Sequence, residues 1–238
     1  MTSTATARRA IVALALIAAG LPLIGCKSPG AVELGCRTEA HLVDTSGSTA
    51  AYRGQWPTEL TASAHETLVA GDHFVASTFT SGPGTIDWAV TADGCKSPED
   101  RPNKHERWAA GQAGILGPKL TELTRQRTRG GSDPLAALEA ASKLPRLTVV
   151  RIWSDLVVQD DGVDLSRPVP PARIAELADE WTPRLKRLRG VRVVALHAGR
   201  GVDSDVAVRQ SEQLMRTVLQ RAGATLDWQP VYRGTSGA

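Results

Sequence analysis

Short apolar, β-branched runs alternate along this chain with longer stretches whose apolar positions recur at helical spacing. His41-Leu42-Val43 reads as the first strand. An Ala/Thr/Leu-rich helix follows from about Pro57 to Ala70, with Pro57 at an early position where its missing N–H is tolerated. Phe74 to Phe79 and Thr85 to Val90 read as the second and third strands. The turn-rich Ser81-Gly82-Pro83-Gly84 between them predicts an antiparallel hairpin. A helical region runs from about His105 to Thr128, with an interruption expected at Gly117-Pro118. Asp133 is placed to cap a further helix, in which Pro134 takes the first position and Leu135, Leu138 and Ala141 share one face.

Leu147 to Trp153 is apolar and β-branched, the pattern of a parallel strand covered on both faces. Ile174, Leu177, Trp181, Leu185 and Leu188 have helical spacing, with Pro183 dividing the segment. Val191 to Leu196 predicts the next strand. Leu214, Met215, Val218 and Leu219 form the core stripe of a last helix that Gly223 stops, and Thr225 to Trp228 predicts a final edge strand. This order predicts an α/β fold: a doubly wound, mostly parallel sheet flanked by helices, with one antiparallel edge strand.

The N-terminus has the layout of an export signal. Arg8-Arg9 precede the uncharged run Ala10 to Ile24, which is too short for a span of about 20 residues. Leu23-Ile24-Gly25-Cys26 resembles a bacterial lipobox, which implies cleavage before Cys26 and a lipid on that cysteine. An ordinary secretory signal with a chance cysteine is the alternative. The expected organisation is a signal peptide over 1–25, a polar tether over 26–35, one domain over 36–233 and a frayed tail over 234–238. The expected location is the outer face of the cytoplasmic membrane, held by lipid.

Without Arg8 and Arg9 the formal net charge falls from +3 to +1. So small a charge, without a basic stripe interleaved with aromatics, argues against nucleic-acid binding. Two further cysteines, Cys36 and Cys95, either pair with each other, as is common outside the cytoplasm, or remain inert thiols.

The strongest chemical signal is Asp44-Thr45-Ser46-Gly47-Ser48, directly after Leu42-Val43. A strand end is where an open α/β sheet builds its ligand sites, and alternating Asp, Ser and Ser offer hard oxygens to a small cation. Gly130-Gly131-Ser132 precedes the helix at Asp133, and the strand ending at Trp153 continues into Ser154-Asp155. Together these three segments resemble the metal-ion-dependent adhesion site (MIDAS) of von Willebrand factor type A (vWA) domains, in a resemblance spanning about His41 to Trp228. It implies that Ser46, Ser48 and Ser132 supply hydroxyls to Mg²⁺ or Mn²⁺, with Asp44 and Asp155 holding metal-bound water or coordinating directly. It also implies that an open coordination position attracts a Glu or Asp of a protein partner. Two departures stand out: Ser132 where the family usually has Thr, and Leu156 after Asp155 where Gly is common. The alternative is that these residues only cap helices, the role expected of Asp133.

Arg125, Arg127 and Arg129 either draw an acidic partner towards the ion or complement a helix C-terminus. Trp56 is a candidate contact near the metal turn. His41, His65, His73, His105 and His197 lack metal-ligand spacing and are expected to be packed or solvated. The expected function is therefore a non-enzymatic, lipid-anchored module gripping an acidic protein through a divalent metal. The alternatives are a metal-dependent hydrolase, although Ser46 stands where an aspartic protease needs Gly or an aspartate-nucleophile phosphatase needs its second acid, and a solute-binding lipoprotein of a transporter, which usually has two lobes.

Overall fold

The computed structural model describes residues 37–80, 86–96, 102–127, 130–160, 162–202 and 204–230. The chain parts into Met1–Val32 and Glu33–Ala238, and every described residue belongs to the second unit. The expected signal peptide, Cys26, Cys36, most of the hairpin turn, Arg129 and the tail lie outside the described residues.

Side chains alternate across each strand, and that alternation sets the layers. In β1 (Thr38–Asp44), Ala40 and Leu42 enter one core while Val43 enters the other, where His41 packs on Phe74 and Trp153. The first core is closed by α3 (Pro134–Ala141), α4 (Pro171–Trp181) and α5 (Asp205–Ala222). The second is closed by α1 (Trp56–Val69) and α2 (Pro102–Arg125), with Trp56, Leu60, Leu68, Leu116 and Leu120 facing inward. Both faces of the sheet are thus covered, and the buried strand residues Ala40, Leu42, Val43, Val150, Ile152, Val193 and Ala195 fill the two cores.

The remaining main strands are β2 (His73–Phe79), β3 (Val90–Asp93), β4 (Leu147–Trp153), β7 (Arg192–Ala198) and β8 (Thr225–Pro230). They form a six-stranded sheet in the order β3-β2-β1-β4-β7-β8. All neighbours are parallel except β2 and β3. From β1 the chain winds outward to β3, then returns to β4 on the other side of β1 and winds out to β8. The reversal falls between β1 and β4, where a doubly wound sheet opens a crevice at its carboxyl edge. Val43 pairs with Trp153 in the register, so Asp44 and Ser154 leave the sheet side by side. A small ribbon of β5 (Gln159–Asp160) and β6 (Val163–Asp164) follows β4.

Two predicted elements differ. The third strand spans Val90–Asp93, not Thr85 to Val90, and pairs with His73 to Ala76 only. Beyond Ala76, the Ser77 hydroxyl donates to the Asp87 carbonyl in place of ladder bonds, and Ile86 and Trp88 turn onto the first core. The expected interruption at Gly117-Pro118 is absent, and α2 is continuous with Pro118 inside it. Its buried stripe, Ala109, Leu116, Leu120 and Leu123, continues on both sides of the proline. Trp56 is fully buried and serves as core, not as a surface contact.

A polar chain crosses the sheet centre. The Trp153 indole N–H donates to His41 Nδ1 at 3.2 Å, which leaves His41 Nε2–H to donate to Glu39 at 3.1 Å, and Arg151 pairs with the same carboxylate. Burial holds His41 below its ordinary pKa, so it is the neutral ring. Burial alone would raise Glu39, but the hydrogen bonds from His41 and Arg151 and the charge of Arg151 overcome it and hold the carboxyl at about 2. Both groups are depressed in the folded state. Their contribution is therefore present at neutral pH and lost as pH falls, first below 6.5 for His41 and then from 4.5 towards 2 for Glu39. Urea unfolding between pH 7 and 3 is expected to show this decline, with Glu39→Gln less stable by about 2 kcal/mol at pH 7 and flatter below pH 4.5.

Candidate metal centre

Asp44 is the last residue of β1 and is completely buried. Its Oδ1 accepts the Ser46 backbone N–H at 2.7 Å, an Asx turn that reverses the chain and aims the following hydroxyls over the strand end. Its Oδ2 accepts two hydroxyls, from Ser132 at 2.9 Å and from Ser154 at 2.6 Å. Thr49 locks the turn by donating to the carbonyls of Asp44 and Ser46, both at 3.1 Å. Within it, Ser46 Oγ and Ser48 Oγ lie 3.0 Å apart. Ser46 is buried, whereas Gly47 and Ser48 are exposed, so the group opens to solvent on one side.

The second segment reaches Asp44 because its glycines allow close packing. Gly130 has φ of 136°, and a Cβ on Gly131 would stand 2.2 Å from the Gln159 carbonyl oxygen. Gln159 N–H in turn donates to the Ser132 carbonyl at 2.8 Å, tying this loop to β5. Asp133 then caps α3 by accepting from Ala136 N–H at 2.9 Å.

The third segment carries Asp155, only 2 % exposed. Its Oδ1 accepts Val157 N–H at 3.1 Å, while Oδ2 is buried with no hydrogen-bond partner among the described residues. Burial pushes this carboxyl up to about 6; the Ser48 hydroxyl and Val157 N–H pull it down, and the like charge of Asp44 pushes it further up. Leu156 adopts φ of 61°, the left-handed backbone that glycine favours, and its fully buried side chain joins the first core. The packing of Leu156 in the first core holds this left-handed backbone in place. From β7, Gly199 N–H donates to the Asp155 carbonyl at 2.9 Å and His197 adopts φ of 63°.

All five residues singled out in the sequence, Asp44, Ser46, Ser48, Ser132 and Asp155, therefore meet at the carboxyl ends of β1 and β4. Three more belong to the group. Ser154 adds a hydroxyl to Asp44 and accepts Leu156 N–H at 2.9 Å. Tyr52 is buried, and among the described residues its hydroxyl has no partner. Burial, and then the charges of Asp155 and Asp44, push its phenol well above the ordinary range, so it remains a neutral donor. Arg53 is buried too and donates to the Gln126 carbonyl at 2.7 Å, fixing the chain that leads into the second segment. The signal for Ser154 was present: it sits one residue before the chosen aspartate, in register with Asp44.

The donor set fits a hard divalent cation. Ser46, Ser48 and Ser132 offer neutral hydroxyl oxygens, and Asp155 Oδ2 is a buried acceptor with no donor within bonding distance among the described residues. Oxygen-only donors suit Mg²⁺ or Mn²⁺ rather than thiolate-seeking metals. A second cluster brings atoms of His73, Asp93 and Cys95 within 4.8 Å of one another. Cys95 is disulfide-bonded and offers no thiolate there, while the partner expected for it, Cys36, lies outside the described residues.

No family model matches this chain. No curated protein matches it either. Among solved structures it is similar to the pilus adhesin SpaC from Lactobacillus rhamnosus GG in its open conformation, at 14% identity and a TM-score of 0.47, over 81% of this chain and 28% of that one. It is also similar to the VWA domain of SpRpn10, at 10% identity and a TM-score of 0.42, over 83% of this chain and 90% of that one. The chain thus spans 28% of the adhesin's length. The strand order and the antiparallel pairing of β2 with β3 at one edge are those of a doubly wound, mostly parallel α/β sheet.

Asp155 has a raised folded pKa, so the metal-free protein is expected to lose stability as pH rises from 3.8 through about 6. In EDTA at pH 7.5, Asp155→Asn is expected to be more stable than wild type by about 2 kcal/mol in urea unfolding. A lower stability would contradict the assigned environment. Gly131→Ala is expected to cost about 2 kcal/mol or more, because backbone must move to admit the methyl group.

Proposed function

We propose that this protein is a non-enzymatic binding module that holds Mg²⁺ or Mn²⁺ at Ser46, Ser48, Ser132, Asp44 and Asp155 and grips an acidic side chain of a protein partner there. The observation that carries this reading is Asp155 Oδ2, a buried carboxylate oxygen that has no hydrogen-bond donor within bonding distance among the described residues and lies near the Ser46 and Ser48 hydroxyls. A buried acceptor with no donor is costly, and a divalent cation would remove that cost while favouring the ionised carboxyl. Asp44 already has three donors, so its role is to orient Ser132 and the Ser46 turn. The remaining donors are largely neutral, so much of the cation's charge would stay uncompensated, and the exposed side at Ser48 is where an anionic oxygen could approach.

A lipid on Cys26, such as palmitate, would place the module on the outer face of the cytoplasmic membrane. The support for this is the Arg8-Arg9, apolar-run and Leu-Ile-Gly-Cys pattern. Among the described residues, no helix is long and apolar enough to cross a membrane.

Titration calorimetry tests the metal reading. Wild type is expected to bind Mg²⁺ or Mn²⁺ with 1:1 stoichiometry. Ser46→Ala, which deletes one oxygen and leaves the Asp44 contacts in place, is expected to weaken it at least ten-fold. Equal heats for wild type and Ser46→Ala would contradict the proposal. Turnover of generic phosphate-ester or peptide substrates, lost in Asp44→Asn, would favour a hydrolase instead.

A further inference from the structure

Beside the metal turn lies a cavity of about 290 Å³ lined by Ala50, Arg53, Gly54, Thr124, Arg125 and Arg127. It begins two residues after Ser48, and Arg53 feels the charge of Asp44, so it adjoins the Asp44–Asp155 group. We infer that this cavity is a second anion subsite, which takes a carboxylate side chain of the same acidic protein segment that docks at the Asp44–Asp155 group. The inference rests on the acidic-partner reading above and adds a second contact to it.

Three guanidinium groups share the cavity wall, and no carboxylate lines it among the described residues. Arg53 is 4 % exposed, and the one hydrogen bond its guanidinium makes among the described residues is the one to the Gln126 carbonyl. A guanidinium has five N–H donors. Both oxygens of the neighbouring Asp44 are already engaged by Ser46, Ser132 and Ser154. Burial depresses the Arg53 pKa, Asp44 raises it and Arg127 opposes it, so the cations here repel one another. The dipole of α2 accounts for Arg125 in its last turn, but not for Arg127 beyond the helix or for the buried Arg53. An incoming carboxylate would supply both the acceptor and the counter-charge, and guanidinium matches its planar geometry. At ~30 Å³ per water the cavity holds about ten waters, room for one carboxylate side chain and not for a folded element.

The test uses acetylated, amidated glycine peptides carrying either one Glu or two Glu separated by one to four residues. They are titrated at low ionic strength into wild type and into Arg125→Gln/Arg127→Gln. Both of these arginines are exposed, so the double substitution spares the core. In Mg²⁺, at least one two-Glu peptide is expected to bind wild type about ten-fold more tightly than the one-Glu peptide, and the double variant to lose that advantage. In EDTA, weak binding of the one-Glu peptide that the double variant abolishes supports the subsite, even if Mg²⁺ strengthens no peptide, a result that would count against the metal reading alone. Binding unaffected by the double substitution in both buffers, or no peptide binding at all, overturns the subsite.

Discussion

The architecture of the site depends on one buried carboxylate. Asp44 has no solvent to satisfy its oxygens, so the chain must bring donors to it, and they come from three separate segments. The Ser46 amide arrives through a tight turn, the Ser132 hydroxyl across 88 residues of sequence, and the Ser154 hydroxyl from the neighbouring strand. An ionised carboxylate buried without such partners would cost several kcal/mol. Its presence at the end of β1 therefore dictates where the other two loops lie. The sheet supplies the opportunity: the winding reverses between β1 and β4, leaving their carboxyl ends adjacent and open.

Around this well-satisfied centre sit groups that are not satisfied. Among the described residues, Asp155 Oδ2 and the Tyr52 hydroxyl are buried without partners, and Leu156 and His197 hold left-handed backbone conformations at the same rim. Unpaired polar atoms and strained dihedrals oppose folding and persist only where the surrounding structure over-determines them. Here the over-determination is visible in the two packed faces of the sheet and in the Asp44 bonds. Rigidity and incompleteness thus occupy adjoining places, the arrangement expected of a site that completes itself with something from outside.

Much of this was legible in the sequence because the signals were local and strong. The alternation of apolar runs and helical stripes predicted the sheet, its parallel character and its antiparallel edge. Asp44, Ser46, Ser48, Ser132 and Asp155 are singled out by the resemblance of three segments together to a known metal site, and a strand end or a glycine pair marks each segment. Other features depend on tertiary packing, which spacing does not encode. A proline inside a helix normally breaks it, but the buried stripe on both sides of Pro118 holds α2 continuous. The third strand shifted because the Ser77 hydroxyl captures the Asp87 carbonyl before pairing begins. Tyr52 and Arg53 carried no motif. They matter because the turn after Ser48 folds inward and buries them beside the carboxylates.

The most direct measurement is anomalous diffraction from crystals of the protein soaked in Mn²⁺. The account predicts one strong peak within about 2–3 Å of Ser46 Oγ and Ser48 Oγ, facing Asp155 across the exposed side of the turn. A peak at His73 and Asp93 instead, or none anywhere on the protein, would contradict it.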